Sequence, residues 1–216
     1  MLASVPDVNL APSKRVPRAV REQQMLDAAV VEFARLGFHA ASMDDIAARA
    51  SVSKPMVYAY LGTKEDLFVA CLHREGTRLM QSIVDVVDAG LGPDEQLWQG
   101  LRAFFGFVAV HRDGWSVLYR QEQGPFASEH ARMRARMVDV VTGLLSRAVE
   151  VRGRRPRLAD VSGLAYALVG ASESLADWLV DNPSEQPDQV ATRLMNIVWL
   201  GAATMLDGAT WQPPSF

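Results

Sequence analysis

Residues 51–67, SVSKPMVYAYLGTKEDL, combine a lysine, a proline and a methionine at the start of a predicted short helix. Lys54 can donate hydrogen bonds to guanine O6 and N7, and Pro55 and Met56 can contact the methyl group of thymine. Side chains of these types at the beginning of a helix suit the base edges in the DNA major groove. The segment therefore indicates a surface that reads DNA sequence.

Two tyrosines and a second lysine in the same segment suit the phosphate backbone. Tyr58 and Tyr60 present hydroxyl groups at the ends of rigid rings, suited to phosphate oxygens. Thr63 and Asp66 begin the next helix, so Lys64 lies in its first turn, where free backbone N–H groups and the helix dipole favour an anion. We expect a phosphate there, with Lys64 as an additional cation.

These side chains must be carried by two short helices joined by a tight turn. Ser42, with Asp45 three positions on, resembles a capping box that begins a helix ending at Ala50. Ser53 is the predicted cap of the next helix, residues 54–60. Such a pair has the dimensions of a helix-turn-helix, whose second helix lies in the major groove. Ser42 and Ser53 are included among the expected DNA contacts.

The opposite side of that second helix should be buried. Val57 and Leu61 lie four residues apart, on one side of the helix, and are predicted to face inward. This leaves the side of Lys54 exposed. An ordinary pair of packed helices with solvated lysines would show the same periodicity, but the spacing, the caps, the tyrosines and the second lysine favour the DNA-reading interpretation.

The charge of the chain is distributed unevenly, although its net value is −3. Residues 14–64 hold eight Lys or Arg and five Asp or Glu, whereas residues 65–216 hold fourteen and nineteen. A basic first part on an acidic remainder is typical of a DNA-binding module attached to a larger body. The first basic residues are expected to form an arm that contacts phosphates or the minor groove: Lys14, Arg15, Arg18 and Arg21.

Helical periodicity runs through almost the whole chain, and no convincing strand pattern is found. We predict an all-α fold of about nine helices, with a flexible basic arm (1–15), a helix-turn-helix domain (16–62) and a helical ligand-binding and dimerisation domain (63–210). Clusters of glycine, proline and charge separate the helices, which are predicted at residues 17–36, 42–50, 54–60, 63–89, 94–111, 115–121, 128–151, 157–180 and 188–206.

Three stretches in order, LDAAVVEFARLGF, SMDDIA and VSKPMVYAYLGTKEDL, resemble the N-terminal domain of the TetR (tetracycline repressor) family of bacterial regulators. The resemblance implies an all-helical dimer with five residues at the DNA: Pro55, Met56, Tyr58, Tyr60 and Lys64. Two positions depart from the family pattern. Ser51 replaces a turn glycine, where a left-handed backbone would cost about 1 kcal/mol. Ala59 replaces a larger residue, which leaves the DNA contact at that position open.

The remaining helices resemble the family in layout only. Their aromatic and methionine side chains could line an apolar pocket of roughly a few hundred Å³, in which glutamates orient a ligand. The predicted lining is Phe104, Phe105, Trp115, Tyr119, Glu122, Phe126, Met133, Met137, Tyr166 and Glu173. Each ring could instead belong to the hydrophobic core, and each glutamate to the surface.

The last two predicted helices carry apolar stripes with small residues that permit close helix approach. Paired across a two-fold axis, they would form a four-helix bundle. The predicted contacts are Leu168, Leu175, Trp178, Leu194, Ile197, Val198 and Met205. A monomer could bury the same stripes against its own body, whereas the family resemblance implies a homodimer.

Together these features predict a ligand-responsive regulator, in the first place a repressor released from a palindromic operator by a small, largely apolar effector. A regulator that activates, or one that needs no ligand, is an alternative interpretation. A helical enzyme and a structural dimer are remoter alternatives. No HExxH, GxSxG, P-loop or dinucleotide motif is present, and no cofactor or metal site is predicted. Cys71 is predicted to be buried and unreactive.

The chain is expected in the cytoplasm. Its first residues lack the basic start and long apolar run of a secretory signal, and its longest apolar runs fall far short of the ~20 residues of a membrane span. The single cysteine excludes an internal disulfide and a cysteine-only zinc site.

Overall fold

A computed structural model describes residues 17–87, 90–120, 125–151, 153, 155 and 157–206, with side chains as far as residue 199. Within these ranges the chain forms nine α-helices and no strand, which confirms the all-α prediction. The helices are α1 (Arg18–Ala40), α2 (Met43–Arg49), α3 (Lys54–Leu61), α4 (Lys64–Val84), α5 (Pro93–Val110), α6 (Arg112–Tyr119), α7 (Ala127–Val151), α8 (Leu158–Asp181) and α9 (Pro187–Leu206).

The first three helices, which we call the head, pack around a common apolar centre. Phe33 of α1, Ile46 of α2 and Val57 of α3 are fully buried there. Gly37 interrupts α1 with a φ of 77°, which favours glycine, as expected at the predicted helix end. Because Val57 points into this centre, the opposite side of α3 faces solvent.

The turn between α2 and α3 contains the left-handed residue that the sequence suggested. Ser51 has a φ of 55° and is the one non-glycine residue with positive φ in the described part of the chain. A left-handed backbone costs a serine about 1 kcal/mol. The turn is held by its backbone, since the Val52 N–H donates to the Ala47 carbonyl at 3.0 Å.

Helix α4 connects the head to the body, which is our name for α5–α9. Its start is a complete capping box: the Thr63 hydroxyl accepts from the Asp66 N–H, and the Asp66 carboxylate accepts from the Thr63 N–H. Its 21 residues extend over roughly 30 Å. One end therefore lies beside α1, while the other, at Ile83, reaches the body.

Three helix boundaries differ from the prediction by three residues or more: α1 continues past the break at Gly37 to Ala40, and the other two are the end of α4 and the start of α6. α4 ends at Val84 because its last turn tightens, with the Val86 N–H donating to the Ile83 carbonyl at 3.3 Å. α6 begins at Arg112, so the RDG cluster belongs to its first turn rather than to a break. Glycine suits that turn, because a Cβ on Gly114 would lie 2.7 Å from Oε2 of the buried Glu75, which would have to move.

A buried carboxylate fixes α2 against α1. Glu32 accepts hydrogen bonds from Arg35 at 2.8 Å and from Arg49 at 2.7 Å. The Arg35 guanidinium, with Arg49, holds the pKa of Glu32 below its ordinary value, although burial alone would raise it. The carboxylate thus stabilises the head at neutral pH. This contribution is complete above the ordinary carboxyl range and is lost as the pH falls through the lower pKa of the folded state.

We expect Glu32→Gln to lower the free energy of unfolding by about 1–2 kcal/mol at pH 7, since both partner arginines keep access to water. The loss should shrink as the pH falls through the lowered pKa of Glu32, because the wild-type carboxylate is then also protonated. Urea unfolding at several pH values measures both effects. The exposed Glu65→Gln serves as control; equal, pH-independent losses in the two variants would contradict the assignment.

Candidate nucleic-acid interface and ligand cavity

The recognition face, defined as the solvent side of α3, consists of Lys54, Pro55, Met56 and Tyr58. All four are exposed, whereas Val57 between them is buried. Pro55 lies in the first turn of α3, where its fixed φ suits a helix start. The face therefore combines a cation, apolar surface and a hydroxyl at the N-terminal end of a projecting helix.

Lys54 is not isolated on this face. Its Nζ lies 2.8 Å from Oδ2 of Asp44, in the first turn of α2. The hydrogen bond and the negative charge of Asp44 raise the pKa of Lys54. The recognition face thus presents an ion pair rather than a free lysine, which the sequence reasoning missed because the two residues are ten positions apart.

Lys64 lies in the first turn of α4 and is half-buried. Its Nζ donates to the His39 carbonyl at 3.2 Å and lies 4.7 Å from the centre of the Phe38 ring. The ammonium therefore stays near the end of α1 with further N–H groups to donate. Tyr60 is also half-buried, and the Arg18 guanidinium lies 4.9 Å from the centre of its ring.

The two predicted serine caps differ. The Ser42 hydroxyl accepts from the Asp45 N–H at 3.1 Å and donates to the Asp45 carboxylate at 2.7 Å, so it caps α2 without the reciprocal backbone bond of a capping box. Ser53 occupies the cap position of α3 but makes no side-chain cap bond, which corrects the prediction; its exposed hydroxyl faces solvent. Lys14 and Arg15 lie outside the described residues.

An apolar cavity opens between α4, α5, α6, α7, α8 and α9, and its empty space, with the open solvent at its mouth, is about 830 Å³. Its lining is almost entirely apolar, with Glu173 as the one charged side chain among the lining residues described. The residues that line it are Ile83, Pro93, Gln96, Leu97, Gly100, Leu101, Phe104, Tyr119, Met137, Val140, Val141, Leu144, Leu145, Ala148, Leu168, Val169, Ser172, Glu173 and Trp199.

Only part of the predicted lining meets this cavity: Phe104, Tyr119, Met137 and Glu173 do. Five predicted residues lie elsewhere, and Glu122 is outside the described residues. Phe105 and Trp115 are core residues behind the cavity wall, Phe126 packs between α1 and α4, Met133 lies against Gly76 in a groove between α4 and α7, and Tyr166 is exposed.

Polar contacts explain two of these placements. The Trp115 indole N–H donates to Asp177 at 2.9 Å, which holds the ring in the core, where it stacks on Tyr119 at 3.9 Å. Tyr166 lies beside Arg134, whose guanidinium is 5.8 Å from the ring centre. Arg134 also donates to Glu173 at 2.9 Å, so the charged residue of the cavity is held in an ion pair.

The predicted dimer contacts also differ in their burial within the protomer. Leu168 and Leu194 are buried inside the protomer, and Leu168 lines the cavity, so neither can lie on a surface. Leu175 and Val198 are half-buried. Trp178 of α8 and Ile197 of α9 are 38% and 74% exposed. The side chain of Met205 lies outside the described residues.

Two family models match this chain. One, described as bacterial regulatory proteins of the tetR family, matches residues 25–71, and the other, described as the tetracyclin repressor-like C-terminal domain, matches residues 93–201. The chain belongs to the TetR family. The first match contains the recognition face, and the second contains most of the cavity lining.

Two other regulators are similar to this chain, one over most of its length and one over about a third of it. The activator FasR of Mycolicibacterium smegmatis is 27% identical over 190 residues, 87% of this chain and 85% of FasR. The repressor SCO4008 of Streptomyces coelicolor is 41% identical over 69 residues, 32% of this chain and 35% of that protein.

Solved structures agree on the fold. A TetR-like regulator from Rhodococcus sp. RHA1 is 45% identical, with a TM-score of 0.76 over 88% of this chain and 99% of that one. FadR of Bacillus subtilis in complex with stearoyl-CoA has a TM-score of 0.70 over 82% and 96% of the two chains; at 18% identity it supports the TetR fold alone.

Three further observations concern the cysteine, metal ligands and helix length. Burial raises the pKa of the Cys71 thiol to about 12, so a thiolate nucleophile is scarce at neutral pH. In the described ranges, no group of three or more His, Cys, Asp or Glu could hold a metal ion. No described helix is long and apolar enough to cross a membrane.

Proposed function

We propose that the protein is a homodimeric repressor that binds a palindromic operator and leaves it when a largely apolar effector enters the cavity. The observation that carries the proposal is the recognition face: a lysine, apolar surface and a tyrosine hydroxyl on the exposed side of a helix that projects from a packed head. We also propose that the protein works in the cytoplasm and that it binds its ligands without catalysing a reaction. We keep residues 16–62 as the DNA-binding domain and residues 63–210 as the effector and dimerisation domain.

The proposed docking places the start of α3 in the major groove. Lys54 then meets guanine acceptors, and Pro55 and Met56 meet thymine methyl groups. Tyr58 and Lys64 contact the phosphates that flank the groove. Lys64 suits this role because it extends from a helix start whose backbone N–H groups also favour an anion.

The exposed apolar residues of α8 and α9 support a dimer. Trp178 and Ile197 remain accessible in the protomer. Pairing of these helices across a two-fold axis gives a four-helix bundle. It would present two recognition faces to half-sites one helical turn, about 34 Å, or a multiple apart.

The cavity supports an effector that is mostly hydrocarbon. Its walls offer aliphatic and aromatic surface, and its polar groups are already committed. The Ser172 hydroxyl donates to the Leu168 carbonyl at 2.8 Å, and Glu173 accepts from Arg134 at 2.9 Å. A charged group on the effector would lose its hydration without a free partner of opposite charge, so an uncharged apolar molecule fits best.

Two helices that meet the cavity also contact the head. Ile83 of α4 and Tyr119 of α6 both line the cavity, and α6 packs against α1 and α4. An effector that favours one arrangement of α4 and α6 would change the separation of the two heads. It can change operator affinity only by its difference in affinity for the two arrangements.

Contacts of α1 with α4 and with the segment before α7 are close enough to transmit such a change. Phe126, just before α7, lies 4.7 Å from the Phe38 ring of α1 and 4.5 Å from the Phe68 ring of α4. Arg74 of α4 pairs with Asp27 of α1 at 2.8 Å. A shift of α4 therefore acts directly on α1 and on the helices it carries.

Activation is the second candidate function. It is favoured by the similarity to FasR, which is named an activator and matches over most of both chains, whereas the similarity to the repressor SCO4008 covers 69 residues. A reporter gene downstream of the operator separates the two. Deletion of the regulator raises expression if the protein is a repressor and lowers it if the protein is an activator.

The phosphate contacts give the test of DNA binding. Lys64→Gln with Tyr58→Phe should weaken binding to operator and to random DNA by similar factors, about tenfold at 0.1 M salt. The slope of log affinity against log salt should fall in magnitude by about 0.9, because one cation is lost. Fluorescence anisotropy with labelled fragments measures both quantities.

Glutamine at position 64 keeps a donor for the His39 carbonyl, so thermal unfolding should change little. Arg136→Gln, which removes an exposed cation from α7, is the matched control and should leave DNA binding unaltered. Equal DNA affinities for the double variant and this control would contradict the proposed interface.

A further inference from the structure

We propose that Asp44 is a specificity-determining residue: its ion pair with Lys54 withholds that lysine from DNA phosphates and reserves it for acceptors on guanine. The inference rests on the proposed DNA-binding function and goes beyond it, because it assigns a role to an acidic residue on the recognition side of the head. It predicts that an acid improves the selectivity of a protein whose ligand is a polyanion.

The position of the pair supports this role. Asp44 lies in the first turn of α2 and Lys54 at the start of α3, so the Nζ–Oδ2 contact of 2.8 Å joins the two helices of the helix-turn-helix at their starts. The side chains are 43% and 69% exposed. The pair therefore faces the solvent that DNA would replace.

Neither stability nor capping accounts for the pair. An exposed ion pair contributes at most about 1 kcal/mol to folding. The cap of α2 is supplied by Ser42 and Asp45, whose hydroxyl, N–H and carboxylate bind one another. Asp44 thus has its side chain committed to Lys54 alone among the contacts described.

Pairing with a carboxylate changes how a lysine binds phosphates more than how it binds base edges. A free lysine on a phosphate releases counterions and gains affinity on any sequence. A lysine paired with a carboxylate is electrically neutral, and the carboxylate repels the phosphate, so this gain is largely lost. Guanine O6 and N7 are neutral acceptors, and the two N–H groups that Asp44 leaves free can still donate to them. The pair therefore weakens random binding more than operator binding.

The test compares DNA selectivity in matched charge variants. Wild-type protein first selects an operator from random fragments. Affinities for that fragment and for a scrambled one are then measured between 50 and 200 mM salt for wild type, Asp44→Asn and Glu65→Gln. Glu65 is an exposed acid in the first turn of α4, outside this pair, and controls for net charge.

We expect Asp44→Asn to tighten scrambled-DNA binding about tenfold at 0.1 M salt and to steepen its salt slope by about 0.9, as one new phosphate contact would. Operator binding should change less than threefold. Glu65→Gln should change both affinities by one small common factor. In a Lys54→Met background, Asp44→Asn should lose its effect on scrambled DNA, because the pair acts as a unit.

Three results would overturn the inference. The first is an Asp44→Asn effect equal to that of Glu65→Gln. The second is an equal change on operator and scrambled DNA. The third is an undiminished Asp44→Asn effect after Lys54→Met. If the wild type binds operator while any of these is found, only this inference fails; a wild type that binds no fragment overturns the proposed function as well.

Discussion

Trp178→Glu together with Ile197→Glu is expected to give a folded monomer whose operator affinity is lower by a factor of about 10²–10⁴. A dimer that holds two heads binds its second half-site at a high effective concentration, and a monomer loses that gain entirely. Each glutamate would face the same residue of the partner protomer, and the repulsion between these charges should prevent dimerisation. Both side chains are close to water in the separated protomer, so the variant should still fold.

Analytical ultracentrifugation measures the oligomeric state, and anisotropy measures DNA affinity. Val151→Glu, which places the same charge at another exposed apolar position outside α8 and α9, should remain dimeric. A fragment with one half-site should bind both proteins alike, because each uses a single head on it. A double variant that stays dimeric, or a monomer with full operator affinity, would contradict the proposed interface.

Gly100→Phe is expected to abolish effector binding while leaving DNA binding intact. Gly100 lies on α5 at the cavity wall, and a Cβ there would meet Val87 and Ile83 at ordinary distances of 3.7 and 3.8 Å. The helix can therefore accept the substitution, and the ring would occupy cavity space that an apolar ligand needs. The neutral dye Nile red serves as the probe, since its fluorescence rises in apolar surroundings.

Dye affinity should fall at least about tenfold in this variant, because a buried ring removes apolar contact area from the ligand. The matched control is Gly143→Phe on α7, where the glycine is exposed and an added Cβ meets nothing within 4 Å. That control should bind the dye as the wild type does. Equal dye affinity in Gly100→Phe and wild type would show that apolar ligands bind elsewhere.

Local rules were sufficient for the head and for the start of α4. The Thr63–Asp66 capping box, the break at Gly37 and the buried side of Val57 each depend on residues within a few positions of one another. Helical periodicity and cap chemistry report such neighbours directly. The position of α3 and its exposed side therefore followed from the sequence, whereas the left-handed Ser51 was suggested by the family resemblance.

The cavity did not follow from the same rules. Periodicity shows which side of a helix turns inward, but it does not distinguish a side chain that meets a neighbour from one that meets empty space. Phe105 and Trp115 meet neighbours, whereas aliphatic residues such as Val141 and Leu144 line the cavity. Leu168 was assigned to a dimer contact for the same reason, since an inward stripe and an interface stripe look alike.

The ion pair at the recognition face escaped prediction for another reason. Asp44 and Lys54 meet only because the turn at Ser51 brings the starts of α2 and α3 together. Pairing across a turn depends on tertiary geometry that sequence spacing does not encode. A basic residue that the sequence presents as free can thus be paired in the folded head. A count of basic residues alone therefore overestimates the positive charge that the head offers to DNA.

Selection of bound fragments from random DNA, with wild type and Lys54→Met in parallel, tests most directly whether α3 reads the major groove. Wild type should enrich an inverted repeat whose half-site centres lie one helical turn, about 10 base pairs, or a multiple apart. Lys54→Met should lose a guanine preference at one position in each half-site and keep the others. No enriched repeat with wild type, or identical preferences from both proteins, would contradict the account.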